Sequence, residues 1–351
     1  MKLDTFSDLL QQADIRFVVF DLGRRITRIS PQLFSRLELG KIPYPYPLQH
    51  HACLGLIGWQ KDDKSKHFIW FVKLPLDELG LIEPVSRDEI VQYLVKQIEQ
   101  RFILEDDKQQ TQQEGTLPHG FTPDEERMAV FHAKVSQLLG QPASKHYQHA
   151  RDYLTGKQGY DQWAFLAIQG LADVTSRLDE ENNQAILIAA MDKLPDVPFS
   201  LVCRLLEHES INDDLAEAIL KRINHETTNT TSEYNQNELV AAIRGLSNQQ
   251  NNEKRQEFLN NVLSGDSANN IEALAAIAGR CWEDLKLATL ARLFLEALAK
   301  NDQGQNGFDH LLMDLLAIPG LREQIMTALR SPKRSAELAS AMGQFFARFN
   351  E

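Results

Sequence analysis

The sequence predicts an α+β domain at the N-terminus, a small antiparallel or mixed sheet with helices, followed by an all-α domain built from helix pairs. Three observations carry this. Residues 15–74 contain three apolar runs of strand-forming residues. Beyond residue 122 every periodic segment has its apolar residues at the i, i+3, i+4 spacing of an amphipathic helix. A polar, glutamine-rich stretch separates the two. The helix pairs recur about every 35–45 residues, the period of HEAT- or armadillo-like α-solenoids. The expected organisation is an α+β domain at 1–103, a linker at 104–122 and a helical-repeat domain at 123–351.

Residues 5–12 read as a short amphipathic helix. IRFVVF (15–20) is a strand, being almost wholly β-branched and aromatic. ACLGLIGW (52–59) and FIWFVKL (68–74) form two more, joined by the charged QKDDKSK as a hairpin with a longer loop. Both faces of this hairpin are apolar, so both should be covered. Ser86 with Glu89 reads as a capping box opening a helix, and Ile90, Leu94, Ile98 and Phe102 follow at fourfold spacing. EDDKQQTQQEGTLPHG (105–120) has too little apolar surface to offset its ordering entropy and is read as linker. Thr122 as N-cap, Pro123 at the first helical position and Glu125 as box partner then open a helix. Met128, Phe131, Val135 and Leu138 share one of its faces, and Gly140 ends it.

The repeat appears when the later segments are aligned. AIQGLA at Ala167 matches AIRGLS at Ala242; RLLEHE at Arg204, AIAGRC at Ala276 and DLLAIP at Asp314 fill the series. The anchors Ile168, Leu205, Ile243, Ile277 and Leu315 are each expected late in one helix, with a partner helix at 180–194, 213–224, 252–264, 283–300 and 321–330. Ser331-Pro332 opens a terminal helix whose Leu338, Met342, Phe345, Phe346 and Phe349 form an apolar stripe. The polar stretches 224–237 and 247–252 are an extended loop and a turn.

Composition is that of a globular protein, 43% hydrophobic and 25% charged, with no apolar run of the roughly 18 residues a membrane span needs. No basic region followed by an apolar core opens the chain, so no secretory signal is expected. Cys53, Cys203 and Cys281 are odd in number, far apart and set in apolar surroundings, which predicts buried thiols and a cytoplasmic location. Residues 1–103 carry 14 basic and 13 acidic side chains; residues 123–351 carry 22 and 32, a net −10. A surface of that sign repels phosphate backbones.

Little in the sequence carries chemistry. Phe20-Asp21-Leu22-Gly23 follows a strand and has the form of the phosphate-binding hairpin of actin-like ATPases, but Arg24 and Arg25 stand where small or hydroxylic residues belong, and no second acidic glycine motif follows. Arg24, Arg25, Arg28, Arg36 and Lys41 place five cations in eighteen residues, and Tyr44 and Tyr46 follow in IPYPYP. Arg24, Arg25, Arg28, Tyr44 and Tyr46 are therefore the candidate partner-binding residues, suited to RNA or to an acidic peptide. His50, His51, His146 and His149 do not form a metal-ligand set. No P-loop, dinucleotide fingerprint, HExxH or GxSxG is present. No cofactor, metal or catalytic residue is assigned.

FDLGRRI at Phe20, IPYPYPLQHHA at Ile42 and WFVKLPLDE at Trp70 resemble an uncharacterised gammaproteobacterial protein family, a domain of unknown function. The resemblance runs over the whole chain and implies a bacterial cytoplasmic protein, with no activity to carry over. The expectation is a non-enzymatic scaffold or adaptor that binds a protein partner through its helical array, without membrane or nucleic acid, a homodimer being left open. The alternative is an RNA- or nucleotide-associated regulator acting through the basic N-terminal segment.

Overall fold

The computed structural model of the chain describes residues 5–61, 63–103, 117–227 and 235–348. The chain divides into two compact units, residues 1–124 and 125–351.

The first unit is built on an antiparallel sheet. β1 (Ile15–Asp21), β2 (Thr27–Ile29), β3 (His51–Gln60) and β4 (Asp63–Pro75) lie in the order β2-β1-β3-β4. Helix α1 (Phe6–Gln12) precedes the sheet, with the Thr5 hydroxyl accepting from the Asp8 amide as N-cap. Helix α2 (Pro31–Glu38) joins β2 to β3, and α3 (Pro84–Ile103) follows β4. One face of the sheet, with Val19, Leu54, Leu56, Val72 and Leu74, packs in one apolar cluster with Phe6, Leu9 and Leu10 of α1, Phe34 and Leu37 of α2, and Ile90 and Val91 of α3. On the alternate positions Val18, Phe20, Cys53, Ile57 and Trp59 are buried as well, as the two-sided apolar pattern of the strands demands.

Four sequence readings change here. β2 and α2 were not expected: three residues are too few to show a period, although Ser30 and Pro31 give α2 an N-cap and a first-turn proline. The hairpin loop is shorter than expected, because Asp63, Lys64, Ser65 and Lys66 already belong to β4. Helix α3 starts at Pro84, so Ser86 lies inside the first turn and the Ser86/Glu89 capping box does not form; the Ser86 hydroxyl donates to Glu83, 3.5 Å away. The end of the expected linker lies along the edge of β4. Gly120 bridges Val72, the Lys73 amide donates to the His119 carbonyl at 2.8 Å, and the Phe121 amide to Phe71 at 3.2 Å. Residues 104–116 lie outside the described residues.

The second unit is helical: α4 (Glu125–Leu139), α5 (Tyr147–Leu154), α6 (Ile168–Ser176), α7 (Asn183–Ala190), α8 (Asp196–Leu206), α9 (Asp213–Thr227), α10 (Gln236–Leu246), α11 (Asn252–Ser264), α12 (Ile271–Arg280), α13 (Ala288–Leu298), α14 (Gly304–Leu316), α15 (Arg322–Leu329) and α16 (Ala336–Ala347). The helices pack two apart in sequence. α4, α6, α8, α10, α12, α14 and α16 form one row, each against the next; α5, α7 and α9, and again α11, α13 and α15, do the same beside it. Gly140 stops α4 in the left-handed region at φ +72°, which a side chain would disfavour.

Leu205, Ile243, Ile277 and Leu315 lie late in α8, α10, α12 and α14 and are at most 1% exposed. Ile168 does not match them. It opens α6 and is half-buried, so AIQGLA and AIRGLS agree as strings but sit at different points of their helices. Thr122 is likewise not a cap, since α4 begins at Glu125. The terminal helix is capped by Ser335 rather than by Ser331, and its stripe buries Leu338 and Phe345, Phe349 lying outside the described residues. In the expected loop 224–237, α9 runs on to Thr227 and α10 begins at Gln236; 228–234 lie outside the described residues.

Candidate functional site

The residues nominated from the sequence are not presented together. β1 ends at Asp21, and the chain turns back through Leu22–Arg25 because the Asp21 carboxylate accepts from three amides of its own turn: Gly23 and Arg24 at 3.2 Å and Arg25 at 3.3 Å. The Tyr44 hydroxyl donates to the same carboxylate at 2.5 Å. Asp21, Arg24 and Tyr44 are all 0% exposed. The Arg24 Nε donates to the Pro47 carbonyl at 2.8 Å, which ties the turn to the Pro-rich segment. Tyr46 is half-buried with its ring edge-on to Tyr44, centroids 6.1 Å apart.

Arg24 and Tyr44 therefore serve the inside of the unit and do not face a partner. The physical reason is the turn: strand alternation ends at Asp21, so the side-chain directions of 24 and 25 follow the reversal instead of the pleat. Arg25 is half-buried, while Arg28, Arg36 and Lys41 are exposed. Burial pushes Asp21 up to about 6, against the opposing effect of the Tyr44 hydroxyl and the three amides. The same burial, with the Asp21 charge beside it, pushes the Tyr44 phenol well above its ordinary value. Asp21 spends both its oxygens on the turn and on Tyr44, which is not the disposition of a metal-binding aspartate in a phosphate hairpin.

The second unit holds a polar seam that sequence reasoning missed. Glu207 caps the C-terminus of α8 and is 1% exposed. Its carboxylate accepts from Arg244 of α10, at 2.5 Å to Nε and 3.1 Å to Nη2, and from Arg280 Nε of α12 at 2.8 Å. Burial by itself would raise the Glu207 carboxyl; Arg280, His208 and Arg244 outweigh it and hold the group at about 2. The adjacent His208 imidazole is also buried and is pushed down to about 3, because burial and the charges of Arg280, Lys134 and Arg127 outweigh Glu207. His208 is thus neutral at pH 7, where the guanidinium groups keep Glu207 ionised; only once protonated in acid does His208 add to their effect. Nearby, Arg204 of α8 forks onto Glu126 of α4 at 2.9 and 2.8 Å. Lys134 of α4 donates to Glu209 at 2.7 Å and to the His208 carbonyl at 3.0 Å. The seam links α4, α8, α10 and α12 through side chains. The one sequence signal for it is that Arg204, Arg244 and Arg280 recur near the period of the helix pairs, 40 and 36 residues apart.

Among the described residues no group of three or more His, Cys, Asp or Glu side chains is placed to hold a metal ion, and no helix is long and apolar enough to cross a membrane. Cys53, Cys203 and Cys281 are buried thiols outside any disulfide, and burial pushes the Cys203 thiol far up. No curated protein and no solved structure matches the chain. A family profile described as "Protein of unknown function (DUF3549)" matches residues 1–346, nearly the whole chain, and the protein belongs to that family.

Proposed function

We propose that the chain is a non-enzymatic, cytoplasmic scaffold that binds a protein partner along its helical unit, the helices being stacked as an α-solenoid of the HEAT or armadillo kind. The observation that carries this reading is the packing order: seven helices in one row, each against the next, with shorter runs of partner helices beside them. The buried anchors Leu205, Ile243, Ile277 and Leu315, spaced 38, 34 and 38 residues, give the row its period. Side-chain ties such as Glu207 to Arg244 and Arg280 hold successive helices in register. A row of this kind offers an extended surface already in its binding geometry, which lowers the entropic cost of association.

The test is affinity capture with the full chain from native lysate at about 0.15 M ionic strength, with protein and nucleic acid both quantified. The expected result is a stoichiometric protein partner, or a second copy of the chain, and no enrichment of RNA or DNA. The competing reading, an RNA-associated regulator, keeps only Arg25, Arg28 and Tyr46 of its five residues outside the interior. RNA binding that falls steeply with salt and is lost in the Arg25→Glu/Arg28→Glu variant overturns the scaffold reading in its favour.

A further inference from the structure

The connection between α5 and α6 is braced. Gly156 and Gly159, at φ +77° and +81°, turn the chain back after α5. The Tyr153 hydroxyl, from inside α5, donates to the Tyr160 carbonyl at 2.9 Å, and the Tyr160 hydroxyl donates to the Leu154 carbonyl at 3.1 Å. The two rings meet edge to face, centroids 5.7 Å apart, with Tyr153 itself 0% exposed. The 3-10 turn Tyr160–Phe165 built on this brace buries none of its own residues. Trp163 is 38% and Phe165 75% exposed. Phe165 is more exposed than any other large hydrophobic side chain among the described residues. Val197, the second residue of α8, is 54% exposed, and α8 packs directly on α6. A fixed turn that holds two aromatic rings in water is the form of a preorganised anchor site.

We infer that the Tyr160–Phe165 turn docks a basic, amphipathic segment of the partner protein, with apolar side chains seated on Phe165 and Trp163. The inference rests on the scaffold reading and adds where the partner is gripped and by what chemistry. Charge complementarity selects the occupant. Residues 123–351 carry a net −10, and Asp161 lies within the turn; Asp196, exposed beside Val197, is matched by Arg222 at 3.1 Å. Lys157, the cation nearest in sequence, is matched by Asp152 at 2.8 Å. Aromatic faces attract lysine and arginine, so the rings and the acidic surroundings favour the same partner. An acidic segment or a nucleic acid meets repulsion on this surface.

The experiment places a photo-crosslinking phenylalanine analogue at position 165, 163, 287 or 313 of the full chain, with irradiation in living cells; Leu287, just ahead of α13, and Met313 of α14 are exposed apolar positions elsewhere in the unit. Positions 165 and 163 are expected to capture the same protein, through a segment rich in lysine and arginine. A synthetic copy of that segment should bind the full chain, lose about tenfold in affinity with Phe165→Ser, and change by less than about twofold with Met313→Ser. A captured segment that is acidic or neutral, or binding untouched by Phe165→Ser, overturns the inference. Capture from 287 or 313 alone overturns it and leaves the scaffold reading standing. No protein captured from any of the four positions overturns the scaffold reading, and this inference with it. Because Phe165 is exposed, Phe165→Ser should leave the thermal transition in place, which separates lost binding from lost folding.

Discussion

Glu207→Ala destabilises the helical unit by about 3 kcal/mol or more, the range seen when one partner of a buried ion pair is removed. The carboxylate is 1% exposed and stands between Arg244 and Arg280, on helices α10 and α12, while belonging to the end of α8. Three successive members of the row therefore share one acceptor. Its removal leaves two guanidinium groups facing each other; Arg280 is already drawn below its ordinary value, chiefly by burial and further by Arg244 and Arg127. Glu207→Gln retains the shape and one carbonyl acceptor and should fall between wild type and alanine. The pH dependence has a definite sign. The Glu207 carboxyl is lowered from 4.5 to about 2 on folding, so its stabilisation is complete above pH 4.5 and is lost as pH falls from there to about 2. Urea unfolding followed through that window checks both statements, and the alanine variant should lack this part of the acid dependence.

Asp21→Ala costs the N-terminal unit about 3 kcal/mol, by a different route. The buried Tyr44 hydroxyl and the amides of Gly23, Arg24 and Arg25 lose their shared acceptor at once, and each buried donor left without a partner costs about 1–3 kcal/mol before relaxation. Asp21→Asn is no rescue, because an amide NH2 would then face backbone N–H groups. Here the pH effect has the opposite sign. Burial raises the Asp21 carboxyl from 3.8 to about 6, so between those values the folded unit binds more protons than the unfolded chain. Stability contributed through this group therefore falls as pH rises from about 4 to about 6, and is constant above. Thermal unfolding of the full chain at pH 4.5 and pH 7 should show the transition of the N-terminal unit moving up in acid, and that movement should shrink in Asp21→Ala to the part carried by Glu38, whose carboxyl burial also raises.

These two groups also mark what was legible in the sequence. Helices with a strong period were read well: the partner helix expected at 252–264 is α11 to the residue, and Gly140 ends α4. The strands were readable because apolar runs such as IRFVVF have few alternatives. Helix starts were less so. A Ser or Thr followed three residues later by Glu also occurs inside a first turn, as at Ser86 in α3, or ahead of the helix, as at Thr122, three residues before α4 begins. The Arg24 reading failed because a count of charges carries no direction, and the direction was set by a turn that Asp21 closes through its own backbone neighbours. Glu207 was not readable because its partners are 37 and 73 residues away and meet it only when the rows are stacked.

Hydrogen–deuterium exchange of the full chain, alone and with its captured protein partner, tests the scaffold claim most directly. The account predicts that protection on binding falls within residues 125–348, strongest around the Tyr160–Phe165 turn and the start of α8, with the basic segment 24–41 unchanged. Protection confined to that basic segment, with the helical unit exchanging as it does alone, would contradict it.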